Sequence, residues 1–228
     1  MAAPVLKSIS AANGGIRFLW DPVPGAASYR VYRKTDGGSW SRIGETTAAS
    51  YTDRTAETET GYTYTVRCLD SSGSLISDYY PSGIKLSLAE VPVLSGISNM
   101  AGGVKITWDS SAGAETYRVF RRNASGSWTR IGDTAKTVFT DTSAESGMAY
   151  TYTVRCVDSS GFYNSDFDRT GVSITYVAAP VIKSLSVANG TVRITWDRVN
   201  GAEKYRVFRK NVSLYSPRRR FLRELQRV

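Results

Sequence analysis

A chain of 228 residues, 41% hydrophobic and 21% charged, is composed like a globular protein of two or three domains, which argues against a disordered segment and against one small module. It contains no histidine, and that removes Ser-His-Asp and Cys-His catalysis together with the usual zinc sites. The formal charge of +9 invites a nucleic-acid reading, but residues 211–228 hold five arginines against Glu224 alone, so the rest of the chain is only mildly basic.

The opening residues Met1-Ala2-Ala3-Pro4-Val5 lack the charged and apolar regions of a signal peptide, and no later run approaches the roughly 20 apolar residues of a membrane helix. A fragment of a longer gene is the expectation. From there the chain alternates apolar and polar residues in short runs, the mark of half-buried strands: Ile16, Phe18 and Trp20, then Tyr29 and Val31, then Tyr64, Val66 and Cys68, then Ile84, Leu86 and Leu88. Turn clusters separate the runs at Asn13-Gly14-Gly15, Pro24-Gly25, Asp36-Gly37-Gly38, Thr60-Gly61 and Ser71-Ser72-Gly73. These glycine clusters lack the spacing and the following helix of a phosphate-binding loop and read as turns.

The pattern then repeats every 88 residues without a gap. Pro4, Pro92 and Pro180 are in register, as are Trp20, Trp108 and Trp196, Tyr29, Tyr117 and Tyr205, and Arg33, Arg121 and Arg209. Trp40 and Trp128, Asp53 and Asp141, Tyr64 and Tyr152, and Cys68 and Cys156 carry the match through two full units. The third unit stops matching near Asn211. A unit of this length can enclose its own core, unlike a short solenoid repeat. About seven short strands per unit predict an all-β antiparallel sandwich. The domains are therefore residues 1–90, 91–178, a truncated third module over 179–211, and a basic tail over 212–228. The Leu88–Pro92 junction is too short to allow much bending between modules, and order is expected to weaken beyond about residue 180, where three strands cannot close a sandwich.

The residues Trp20-Asp21-Pro22, Tyr29-Arg30-Val31-Tyr32-Arg33, Tyr51-Thr52-Asp53 and Gly61-Tyr62-Thr63-Tyr64-Thr65-Val66 resemble the fibronectin type III family, in the form strung along bacterial surface and secreted proteins. The resemblance covers nearly all of residues 4–210. It implies tandem fibronectin type III-like sandwiches with a core tryptophan and a tyrosine corner at Tyr64 and Tyr152. It further implies a non-catalytic binding or spacer array at the cell surface or outside the cell, without cofactor or transmembrane segment. The chain would be monomeric unless the incomplete third module pairs with another chain. No Arg-Gly-Asp tripeptide is present.

Each complete module has a single cysteine alternating inward, so neither can form an internal disulfide, and buried free thiols are expected. Asp53 and Asp141 stand at strand ends and read as turn caps. Candidate ligand contacts come from the loop between the sixth and seventh strands, where the units diverge: Ser74-Leu75-Ile76 faces Phe162-Tyr163-Asn164, and Tyr79-Tyr80 faces Phe167-Asp168. Tyr79, Tyr80, Phe162, Tyr163 and Phe167 are therefore candidates for stacking on a sugar or anchoring a protein. The tail residues Arg218, Arg219, Arg220 and Arg223 are the candidate anionic-surface contacts, on a helix that Ser216-Pro217 would start; nucleic acid is not the expected partner.

Overall fold

The computed structural model describes residues 1–12 and 14–210. The arginine-rich tail with Arg218, Arg219, Arg220 and Arg223, and the helix expected on it, lie outside these residues. No helix occurs among them; strands alone build the structure.

The first unit has seven strands: β1 (Leu6–Ala12), β2 (Gly15–Trp20), β3 (Ser28–Thr35), β4 (Ser41–Thr46), β5 (Ser50–Asp53), β6 (Gly61–Leu69) and β7 (Ile84–Ser87). They form a three-stranded sheet β1-β2-β5 facing a four-stranded sheet β4-β3-β6-β7. The second unit repeats this with β8 (Leu94–Met100), β9 (Gly103–Trp108), β10 (Thr116–Asn123), β11 (Thr129–Thr134), β12 (Val138–Asp141), β13 (Ala149–Val157) and β14 (Val172–Thr175). Every adjacent pair in both is antiparallel. Irregularities in the ladder also repeat at the 88-residue interval, between Leu6 and Ser8 and between Leu94 and Gly96.

Period-two alternation accounts for the core. Ile16, Phe18 and Trp20 point from one sheet toward Tyr29, Val31, Tyr64, Val66 and Cys68 on the other, and all are buried. Phe18 stacks on Tyr64 with ring centroids 4.6 Å apart. Trp20 meets Tyr29 edge-on at 5.3 Å, and the Tyr29 hydroxyl reaches out of the core to accept a hydrogen bond from the Val23 amide at 2.9 Å. Val104, Ile106, Trp108, Tyr117, Val119, Tyr152, Val154 and Cys156 do the same in the second unit.

Cys68 and Cys156 are free and buried, one in each core. Desolvation raises the Cys156 thiol above its ordinary value, outweighing hydrogen bonds from Ser165 and Ser111. Because both thiols are buried, both cysteines should stay unmodified by a disulfide reagent in the native protein, and two thiols should react once it is unfolded. Stoichiometric reaction in native buffer would contradict this burial.

The third unit begins in the same way, with β15 (Ile182–Ala188) paired to β16 (Thr191–Trp196). Its irregularity between Ile182 and Ser184 falls at the same repeat position as before. Trp196 meets Tyr205 at 5.4 Å, and the Tyr205 hydroxyl accepts from the Val199 amide at 2.7 Å. Residues 203–210 join no strand among the described residues. The row that is buried in complete modules is open here: Leu185 is 66% exposed, whereas its counterpart Ile9 is 2% exposed.

Candidate functional site

Three regions concentrate the polar and aromatic side chains: a carboxylate inside each module, the poles where modules meet, and the outer face of each four-stranded sheet.

Asp53 ends β5 on the inner side, and its carboxylate is almost fully buried. One oxygen accepts from the Thr55 amide at 2.9 Å and hydroxyl at 2.7 Å, so the residue caps its turn. The other accepts from Arg33 at 2.7 Å and from the Tyr64 hydroxyl at 2.9 Å. Asp141 repeats the set with Ser143, Arg121 and Tyr152. Burial by itself pushes both carboxyls upward, but hydrogen bonds from the turn residue, the arginine and the tyrosine outweigh it and hold them below the usual carboxylate range. The same burial and the neighbouring carboxylate push the Tyr64 and Tyr152 phenols well above their ordinary value. A carboxylate satisfied in this way ties its turn to the facing sheet.

The modules meet end to end. Ala11, near the end of β1, donates from its amide to the Tyr163 carbonyl at 2.6 Å, and its own carbonyl accepts from Arg155 at 2.9 Å. Ala89 in the connecting segment donates to the Asn164 carbonyl at 2.7 Å. Phe162 packs against the core of the first module. The segment is also held from both sides, because Glu59 donates to Leu88 at 2.8 Å and Glu90 donates to Ala112 at 2.9 Å. Between the second and third units, the Ser146 hydroxyl donates to the Asn200 carbonyl at 2.7 Å, and the Asn200 side-chain amide donates to the Ser146 carbonyl at 2.9 Å. Gly147 has φ 89° here, and a Cβ on it would lie 2.7 Å from the Asn200 side chain, so close approach needs glycine.

The outer face is built from the residues that alternate with the core. Strand β10 turns Arg118, Phe120 and Arg122 outward, β13 turns Thr153 and Arg155 outward, and Trp128 lies across them against Gly171. Phe120, Trp128, Thr153, Arg155, Tyr163 and Phe167 line a groove of about 190 Å³. Rings and cations interleave in this groove and beside it, with Arg122 outside its lining. The Arg122 guanidinium sits 4.5 Å from the Trp128 ring, Phe167 meets Trp128 edge-on at 6.3 Å, and Arg155 lies over Tyr163 at 4.2 Å. In the first module Lys34 lies over Trp40 at 4.8 Å, and Trp40 meets Tyr79 at 5.9 Å. Burial lowers the affinity of Arg155 for its proton, against the pull of Asp166.

Two antiparallel sheets of three and four strands, ordered first-second-fifth and fourth-third-sixth-seventh, enclose a strand-two tryptophan and a strand-six tyrosine tied to the strand-five end. The fold is that of the fibronectin type III sandwich. The tyrosine tie of these type III-like modules runs to a side-chain carboxylate. No family model matches the chain. It is 28% identical over 207 residues to Exoglucanase B of Cellulomonas fimi, covering 82% of this chain and 18% of that protein. Among solved structures, it aligns with the FN1–FN3 domains of chicken CNTN1 at 16% identity and TM-score 0.43, covering 77% of this chain and 67% of that one. A two-module fibronectin type III segment of chicken tenascin aligns at 18% identity and TM-score 0.36, covering 76% of this chain and 99% of that one.

The type III-like frame distributes the five candidate aromatics over two places. Phe162 is at the junction, and Tyr163 serves both, its carbonyl at the junction and its ring on the outer face. Tyr79, Tyr80 and Phe167 belong to the outer face or its rim; Tyr79 and Tyr80 are 40% and 42% exposed. From the sequence, Trp40 and Trp128 stand out only as repeat matches, and Lys34 and Arg122 not at all. The available signal was a tryptophan six residues beyond an outward cation, across a glycine turn, in both units. Among the described residues, no group of three or more His, Cys, Asp or Glu side chains is placed to hold a metal, and no helix is long and apolar enough to cross a membrane.

Proposed function

We propose that the chain is a non-catalytic spacer and binding array of a secreted or surface protein, in which end-to-end modules hold their neighbours at a set distance. The carrying observation is the junction at Ala11, whose amide is bonded to the Tyr163 carbonyl in a loop of the next module and whose carbonyl is bonded to Arg155 of β13. A freely jointed pair would leave those groups to water. Likeness to part of an exoglucanase supports a place beside carbohydrate-active machinery. The test is a distance distribution between spin labels on Ser39→Cys and Ser127→Cys, both exposed turn positions. A narrow distribution is expected, broadening when Phe162, Tyr163 and Asn164 are exchanged for the Ser, Leu and Ile of the first module. A broad distribution in the otherwise unaltered chain overturns the spacer reading. The aromatic groove favours carbohydrate as the ligand class for the binding role.

A further inference from the structure

Resting on that binding reading, we infer that the outer face of each four-stranded sheet takes an anionic polysaccharide, a pyranose polymer carrying carboxylate or sulfate groups. Trp40 and Trp128 are the ring platforms, and Lys34, Arg122 and Arg169 are the anion partners.

Size comes first. The second-module groove, about 190 Å³, is smaller than the roughly 300 Å³ at which small-molecule pockets begin. It suits one unit of a longer chain. Four of its six lining residues are aromatic, and aromatic faces accept the C–H face of a sugar ring.

Charge then selects the class. Arg30, Arg33, Arg118, Arg121 and Arg130 all hold carboxylates. Among the described residues, Arg122 and Arg169 have none in ion-pair range and lie instead over Trp128 and Phe167. Lys34 over Trp40 is placed likewise. A neutral sugar settling on these rings would displace the cations and offer them only uncharged hydroxyl acceptors in return. A uronate or sulfate offers the displaced cation a charge-assisted partner, bidentate for an arginine, while the sugar ring covers the indole. The resident cations therefore favour an anionic glycan over a neutral one.

Repetition is the third observation. The neighbouring loop residue is Leu75 in one module and Tyr163 in the other, yet cation, tryptophan and second aromatic keep the same arrangement in both. Two like sites on one chain match a ligand that itself repeats, because the second contact becomes intramolecular.

The test is affinity electrophoresis of the intact chain in gels containing polygalacturonate, dextran sulfate or neutral dextran. Retardation by polygalacturonate or dextran sulfate is expected, and which of the two acts distinguishes carboxylate from sulfate. Neutral dextran should leave mobility unchanged. Trp40→Ala combined with Trp128→Ala should weaken retardation about tenfold. Because these tryptophans are half-buried, Lys34→Ala with Arg122→Ala and Arg169→Ala provides a second variant that leaves the rings in place, and it should weaken retardation comparably. Equal retardation by neutral dextran overturns the anionic class. Undiminished retardation of both variants overturns the site, since attraction by the basic tail alone would give that result. No retardation in any gel also overturns the site, while the label-distance measurement judges the array reading separately.

Discussion

Replacing Asp141 by alanine destabilises the second module by about 3 kcal/mol, lowering its melting temperature by roughly 15 °C. The carboxylate is buried and receives hydrogen bonds from Arg121, Tyr152 and Ser143. Its removal leaves the Tyr152 hydroxyl buried without an acceptor, and an unsatisfied buried polar group costs about 1 to 3 kcal/mol. Arg121 keeps partial access to solvent, which holds the total to the lower end of what a broken buried ion pair costs. Asp141→Asn keeps an acceptor for the tyrosine and should cost less. The pH dependence follows from the lowered carboxyl. Folding favours the charged form, so the contribution is complete above the unfolded carboxylate value of about 3.9 and disappears as pH falls through the lower folded value. Urea titrations across the acid range should therefore show a flatter acid limb for Asp53→Asn combined with Asp141→Asn than for the unaltered chain. An unchanged limb would mean that other carboxylates carry the acid sensitivity.

Exchanging Phe162, Tyr163 and Asn164 for Ser, Leu and Ile uncouples the first two modules. The exchange removes the aromatic packing of Phe162 against the first core; the hydrogen bond it also removes, from the Asn164 side chain to Gly113, lies within the second module. Half-burial of a phenylalanine across the junction stabilises by about 1 kcal/mol. Calorimetry should show the joint melt separating into two transitions, the first module moving down by about 5 °C. Neither cluster loses one of its buried members, since Phe162 packs on the first from its edge. An unchanged midpoint for the first module would show that the connecting segment holds the junction without the loop.

Strand positions, sheet faces and core residues were legible because they rest on local alternation and on a repeat that compares the chain with itself. Trp20, Tyr64 and Cys68 were placed inward from period two alone, and they are buried. Asp53 was readable as a turn cap because Thr55, its partner, is two residues away. Its bonds to Arg33 and Tyr64 cross between the two sheets, and no local pattern specifies which strands will face each other.

The loop at Phe162 marks the limit more sharply. Divergence between units showed that something acts on it, but Arg155 and Ala11, which meet beside it, are 144 residues apart in sequence. Alternation, turn chemistry and the 88-residue register are properties of neighbouring residues and of like segments, so the sequence by itself determined the strands, the modules and their cores. Which loop presses on the preceding module, and which outward rings gather with cations into a groove, was decided only when the sheets packed. Those contacts join strands and modules far apart in the chain, and only tertiary structure brings them together.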